Sequence, residues 1–265
     1  MSMNNRKLTL IFILLTFPWN MLAAVTSEVL TDGERLVYKG SSSRFLIFGN
    51  LGTIILTTTK DKLISKKDGF KIEMVLELNK SMTGLYSFGT KMSSTLDYSL
   101  FRSLAFNKID LKNEDQRFEK AIFDYVDNEI LYKRYRNLEK KEFESLKNTE
   151  KIIQDPLSLI YFLRTLCFDN SKGSSSEVVL FSRGKTIKIS MDYELLDMDI
   201  LGKKRKVIHI KPSNVTQGTL ISKRDIELYL DPETKIPMLI KILGVPIVGN
   251  LELFLSSSNH SKLKI

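Results

Sequence analysis

The 265-residue sequence has one cysteine, Cys167, and two histidines, His209 and His260. No second long apolar run follows its first two dozen residues. A single cysteine excludes an intramolecular disulfide, so the fold must stand on its core even in an oxidising compartment. Two histidines leave little for nucleophile-plus-base chemistry. His209 alternates with Ile208 and Ile210 in a strand-like pattern, and His260 sits in the polar tail SSSNHSKLKI. Cys167 lies on an apolar segment with no cationic neighbours in view, which favours a small buried thiol over a low-pKa nucleophile. No His/Cys cluster has metal-ligand spacing, and no acidic loop resembles a calcium motif; Asp192, Asp197 and Asp199 read as turn and strand-end carboxylates. A G-x-S-x-G elbow, a P-loop and a dinucleotide fingerprint are also missing. Gly49 and Gly52 are too sparse to cradle a phosphate and read as bend or bulge markers. The expectation is a chain that is not an enzyme, with no catalytic residue, no metal and no cofactor.

What is present begins at the N-terminus. Arg6 and Lys7 precede Leu8–Phe17, a ten-residue uncharged apolar run, then Pro18, Trp19, Asn20 and the small residues Ala23 and Ala24. This is the order of a cleavable secretory signal. The run is shorter than the roughly 20 apolar residues that span a bilayer; the alternative is an uncleaved anchor or a buried helix. No cysteine follows it to accept a lipid. The expected organisation is a signal peptide over 1–24, one domain over 25–258 and a polar tail over 259–265, in a periplasmic protein without a lipid anchor. The hydrophobic content of 43% and aromatic content of 9% are globular values. The net charge is +9 for the full chain and +7 without Arg6 and Lys7. In an exported protein that balance suits an anionic membrane surface, or simply a lysine-rich surface, and nucleic acid is excluded as a partner.

From Glu34 onward the pattern has period two. Ile72, Met74, Leu76 and Leu78 alternate with polar residues over Lys71–Leu78, as do Ile187, Ile189, Met191 and Tyr193, and Ile226, Leu228 and Leu230. Further strand candidates are Glu34–Tyr38, Phe45–Thr58, Tyr86–Thr95, Phe118–Tyr125, Ile130–Arg136, Lys206–Lys211, Pro237–Leu243 and Asn250–Leu255. Turn signals at Asp68-Gly69, Ser182-Arg183-Gly184, Asp231-Pro232-Glu233 and Gly249-Asn250 separate many of them. Some ten strands with one wet face imply a large antiparallel sheet curled around a core or cavity.

One segment breaks this rhythm. Asp155-Pro156 supplies a helix N-cap and an N1 proline, and Leu157–Phe168 is apolar nearly all round, with Arg164 the sole charge. Such a helix needs cover on every face, from the sheet on one side and from protein, partner or ligand on the other. Leu159, Tyr161, Phe162, Leu163 and Arg164 are the candidate ligand-lining residues. Arg164 either salt-bridges a sheet carboxylate or meets an anionic headgroup at a cavity mouth. Lys172–Ser176 reads as a flexible loop and residues 137–151 as an exposed connection or a short solvated helix. The basic run Lys203, Lys204, Arg205 and Lys206 is a solvated hairpin end or an anionic-surface contact.

Several of these residues resemble a known family. Gly33-Glu34-Arg35-Leu36-Val37-Tyr38 is similar to the Gly-Glu-x-Leu-x-Tyr opening of a family of bacterial exported proteins of unassigned function. Residues Asp155, Ser158, Tyr161 and Arg164 match its Asp-x-x-Ser-x-x-Tyr-x-x-Arg helix, and Leu228–Asp231, Ile236-Pro237 and Gly249–Leu253 resemble its closing strands. That family looks related in fold to the periplasmic lipoprotein carriers. The resemblance implies a mainly β, α+β fold: a strongly curved antiparallel half-barrel with a central apolar helix on its concave side. It also implies a lipid or lipoprotein acyl chain as a partner, held in an apolar cavity. An envelope structural or interaction protein with a solid core is the alternative.

Overall fold

A computed structural model describes residues 29–42, 51–62, 68–78, 88–112, 115–137, 141–166, 174–215, 226–245, 249–261 and 263. Residues 1–24, where the sequence predicts a leader, and Gly49, Cys167 and Phe168 lie outside the described residues. Among the described residues eight strands precede one helix: β1 (Arg35–Ser42), β2 (Gly52–Lys62), β3 (Asp68–Leu78), β4 (Phe88–Asp97), β5 (Arg102–Lys112), β6 (Asp115–Asp124), β7 (Glu129–Arg136) and β8 (Glu144–Lys147), then α1 (Pro156–Arg164). Six follow it: β9 (Ser174–Ser182), β10 (Lys185–Ile200), β11 (Lys203–Val215), β12 (Ile226–Leu230), β13 (Pro237–Val245) and β14 (Gly249–Ser258).

All of these strands form one antiparallel sheet in the order β8-β7-β6-β5-β4-β3-β2-β1-β14-β13-β12-β11-β10-β9. The chain runs outward from β1 to one edge, crosses through α1, and returns from the other edge to β14. The first and last strands are therefore neighbours at the centre, with Tyr38 opposite Leu255 and Gly40 opposite Leu253. Alternation places one apolar row on the inner face: Leu36, Tyr38, Leu56, Ile72, Leu96, Phe106 and Ala121 are each at most 2% exposed. The hairpins at Arg183-Gly184 and Leu201-Gly202 carry positive φ at both central residues, the requirement of a tight turn whose twist matches the strands.

The sheet curls until its ends overlap, but no ladder joins β8 to β9. Phe181 of β9 packs edge-on against Phe123 of β6 and Tyr132 of β7, both at 5.5 Å between ring centroids. Arg183 N donates to Glu119 Oε1 at 3.1 Å beside them. The chain before α1 bridges the opening. Ser103 N on β5 donates to Ile153 O at 2.9 Å, Gln154 N donates to Val179 O at 2.8 Å, and Phe181 N donates to Gln154 O at 2.7 Å. The half-barrel is thus held by a connecting segment rather than by strand pairing, and α1 lies inside it against β3, β4 and β9.

Three stretches differ from the sequence expectation. Ser174, Ser175 and Ser176 belong to β9 rather than to a loop, because the 16-residue β10 offers them a ladder partner through Tyr193, Asp192 and Met191. Within 137–151 the chain forms the short edge strand β8, where only Leu146 packs inward, opposite Ile130; charged residues keep that edge wet. Strand β5 carries apolar residues at 104, 105, 106, 109 and 111, which has no period of two, yet it pairs along its length with β4 and β6. No helix among the described residues is long and apolar enough to cross a membrane.

Candidate functional site

Helix α1 starts where two signals coincide. Asp155 is the N-cap, Pro156 occupies the first turn, and Ser158 closes a capping box by accepting from Asp155 N at 2.8 Å. Asp155 Oδ1 accepts from Leu157 N and Ser158 N, both at 2.9 Å. Its Oδ2 accepts from the hydroxyls of Ser94 on β4 and Ser103 on β5, the latter at 2.8 Å. One carboxylate thereby caps the helix and bolts it to the sheet. Burial raises the Asp155 pKa above the ordinary carboxylate value, against the pull of these four donors.

At the other end of α1 the guanidinium of Arg164 grips Glu34, with Nη1–Oε1 at 2.7 Å and Nη2–Oε2 at 2.8 Å. Both side chains are 1% exposed. The Tyr161 ring lies 5.0 Å from the Arg164 Cζ, and Tyr38, whose hydroxyl donates to Pro237 O at 2.9 Å, shares the same pocket of charge. Burial drives both tyrosine hydroxyls well above their usual range. For Arg164, burial is outweighed by the bonds to Glu34, so its pKa rises and it stays charged.

Of the two readings of Arg164, the structure therefore shows the salt bridge: both ends of the guanidinium fork are spent on Glu34, a residue just ahead of β1. The lining candidates separate into two groups. Tyr161, Leu163 and Arg164 are buried in the core, whereas Leu159 and Phe162 are half-buried, with Ile160 beside them. Phe162 lines an open cleft of about 390 Å³ together with Thr149, Glu150, Lys151, Ile152, Gln154, Glu177, Val178 and Val179. Lys188 stands at its rim, 3.3 Å from Glu150 and 3.7 Å from Glu177.

The basic run opens β11 directly after the Leu201-Gly202 turn, so it is a hairpin end. Lys204 faces Asp199 and Lys206 faces Asp197 across the ladder, and Arg205 faces Met198. Asp199 is a strand-end carboxylate whose Oδ1 accepts from Gly202 N at 2.7 Å in the turn, whereas Asp197, and Asp192 opposite Lys211, lie further back within β10. His209 sits inside β11, stacked on Tyr229 at 4.5 Å and flanked at 3.4 Å by Glu194 and Glu227. Among the described residues no group of three His, Cys, Asp or Glu side chains could hold a metal ion. Sequence reasoning missed Ser94, Ser103 and Gln154. Ser94 and Ser103 on strands, and Gln154 in the segment before α1, carry no local signal of what they will bond.

A family described as "Protein of unknown function (DUF3108)" matches residues 37–256, a span that contains all of α1 and begins three residues after Glu34. No curated protein matches the chain. Among solved structures the chain is similar to a beta-barrel-like protein of the domain of unknown function DUF1849 from Brucella abortus. The two share 12% identity and a TM-score of 0.50 over 86% of this chain and 97% of that one. At that identity the likeness concerns the fold alone.

Proposed function

The chain belongs to the DUF3108 family, and we propose that it is a non-enzymatic periplasmic binding protein that takes the apolar part of a lipid or other amphipathic ligand in the cleft beside α1. The observation that carries this reading is the second face of α1. Leu157, Tyr161 and Arg164 share one side of the helix and are buried, while on the other side, beside the buried Leu163, Leu159 and Phe162 remain half-buried and Phe162 lines the open cleft. Exposed apolar surface next to a concavity is where small ligands bind, and about 390 Å³ lies within the usual range of such sites. The middle of the half-barrel is occupied by Tyr38, Phe101, Tyr161 and Arg164, so the ligand would lie beside the helix and not under it.

The N-terminal leader supports export, and the absence of a lipid-accepting cysteine after it supports a protein that is not anchored. Among the four cations at 203–206, two face a carboxylate across the ladder, which makes an anionic membrane surface a weaker partner than the cleft ligand. The test is displacement of the fluorescent probe N-phenylnaphthylamine from purified mature protein by decanol. Saturable displacement, weakened at least tenfold by Phe162→Glu with the fold intact by circular dichroism, supports the reading. Absence of saturable probe binding to the wild-type protein removes it.

A second reading is favoured by the packed interior: an envelope interaction protein with a solid core. It shares the cleft with the first reading and differs in what occupies it.

A further inference from the structure

We infer that the occupant of this cleft is an extended polypeptide segment that adds to the free edge of β9 and drops an apolar side chain against Phe162. This rests on the cleft being a binding site, as proposed above, and gives it the protein occupant of the second reading. Strand β9 pairs with β10 without a register shift from Ser182 to Ser174. Along a strand, main-chain groups alternate between its two edges. Phe181 N and Val179 O point away from β10, since both bond Gln154. Glu177 and Ser175, two and four residues further along, therefore turn their N–H and C=O groups to the same side.

Among the described residues nothing bonds them there. Parallel pairing with the connecting segment is confined to a single bridge, Gln154 with Leu180. Before Gln154 the segment bends at Lys151 and Ile152, and Ile153 O is taken by Ser103 N on β5. The cleft is the space so opened. Glu177, Val178 and Val179 wall one side and Thr149, Glu150, Lys151, Ile152 and Gln154 the other. It has the position of a missing strand.

Main-chain donors and acceptors at the strand repeat are matched by another strand lying about 4.8 Å away. An acyl chain has no groups to offer them. The neighbouring walls suit one apolar side chain, because Phe162 and Ile152 are both partly exposed there. Gln154, which also lines the cleft, holds a buried Oε1 with no hydrogen-bond partner. The rim carries Glu150, Lys151, Glu177 and Lys188, charges of both signs, so the partner segment needs no strong charge of its own.

The test is an NMR titration of the mature protein with three probes: a blocked peptide of alternating Thr and Val with a lysine at each end, the same peptide N-methylated at alternate amides, and decanol. Two methylated versions cover the two possible edges of the peptide. Pairing with β9 predicts that the parent shifts the Glu177 and Ser175 amides, that one methylated version binds at least tenfold more weakly, and that the other binds like the parent. Glu177→Pro removes the N–H that faces the free edge and weakens the parent peptide by a similar factor. Equal binding of parent and both methylated peptides, or binding of decanol alone, overturns the strand pairing and leaves the cleft reading in place. Binding by none of the three overturns both.

Discussion

Arg164 on α1 and Glu34 ahead of β1, 130 residues apart in sequence, form a two-pronged ion pair with both side chains 1% exposed. Each charge is tolerable only because the other is there, since an isolated buried charge costs several kcal/mol. The pair joins the end of the helix to the sheet strand at the centre of the fold.

Removing one partner should therefore be far worse than removing both. Arg164→Met and Glu34→Gln are each expected to cost about 3–5 kcal/mol, while the double replacement Glu34→Leu with Arg164→Met recovers most of the loss. Urea unfolding of the four proteins checks this, read at the midpoint with an unchanged slope. A single change within about 0.5 kcal/mol of wild type would show that the pair does not hold the helix.

Asp155 gives a pH-dependent prediction. Its folded pKa is raised by burial, so between the ordinary carboxylate value and that raised value the folded state binds more protons than the unfolded chain. Stability from this group is present below the unfolded pKa and falls as pH rises through the folded one. Against Asp155→Asn, the wild-type protein should gain stability on going from pH 7 towards pH 4. Asp97, where burial is outweighed by hydrogen bonds from Ser99 and the charge of Arg102, works in the opposite direction but is common to both proteins and cancels. Asp155→Ala should cost about 2–4 kcal/mol at any of these pH values, because the helix cap is lost and buried donors are stranded.

The overlap of the sheet ends can be tested at Phe181. Phe181→Ala is expected to cost about 3–5 kcal/mol and to raise amide exchange in β6, β7 and β9 together. Gly184→Ala tests the same contact from the turn. The new Cβ would meet Tyr132 Cε1 at 2.9 Å, at a residue with φ of +78°, so the substitution should cost about 1–3 kcal/mol. Calorimetric or denaturant melting of both variants measures these losses.

Export predicts a measurable mass. Expression of the full chain in a Gram-negative host should yield an envelope-fraction protein lacking about the first 24 residues, read by intact-mass spectrometry. Retention of Met1–Ala24 in the purified protein would contradict a cleavable leader.

Legibility followed the range of the physical signal. Strands β3, β10 and β12 were readable because alternation of Ile, Leu and Met with polar residues is a pattern over a few neighbours. The start of α1 was readable because Asp155 and Pro156 act within one turn. Its end was not: the helix stops at Arg164, capped by Thr165, although the apolar run continues to Phe168. Strand β9 hid behind Ser174, Ser175 and Ser176, whose conformation comes from the β10 ladder and not from their own propensity. Lys203–Lys206 was legible as a hairpin end from Gly202, but the carboxylates facing two of its lysines appear only with the register.

Residues 155–164 show the division most clearly. Their own chemistry dictates a capped apolar helix carrying one charge, and the missing second cysteine dictates that packing alone must hold it. Which of its faces is buried, that Arg164 is consumed by Glu34, and that Phe162 is left beside a gap in the β9 ladder depend on strands β1, β4, β5 and β9 arriving around it. Capping and periodicity act between neighbours along the chain, whereas ion pairing and sheet closure act between neighbours in space, and the curl of the sheet chooses those.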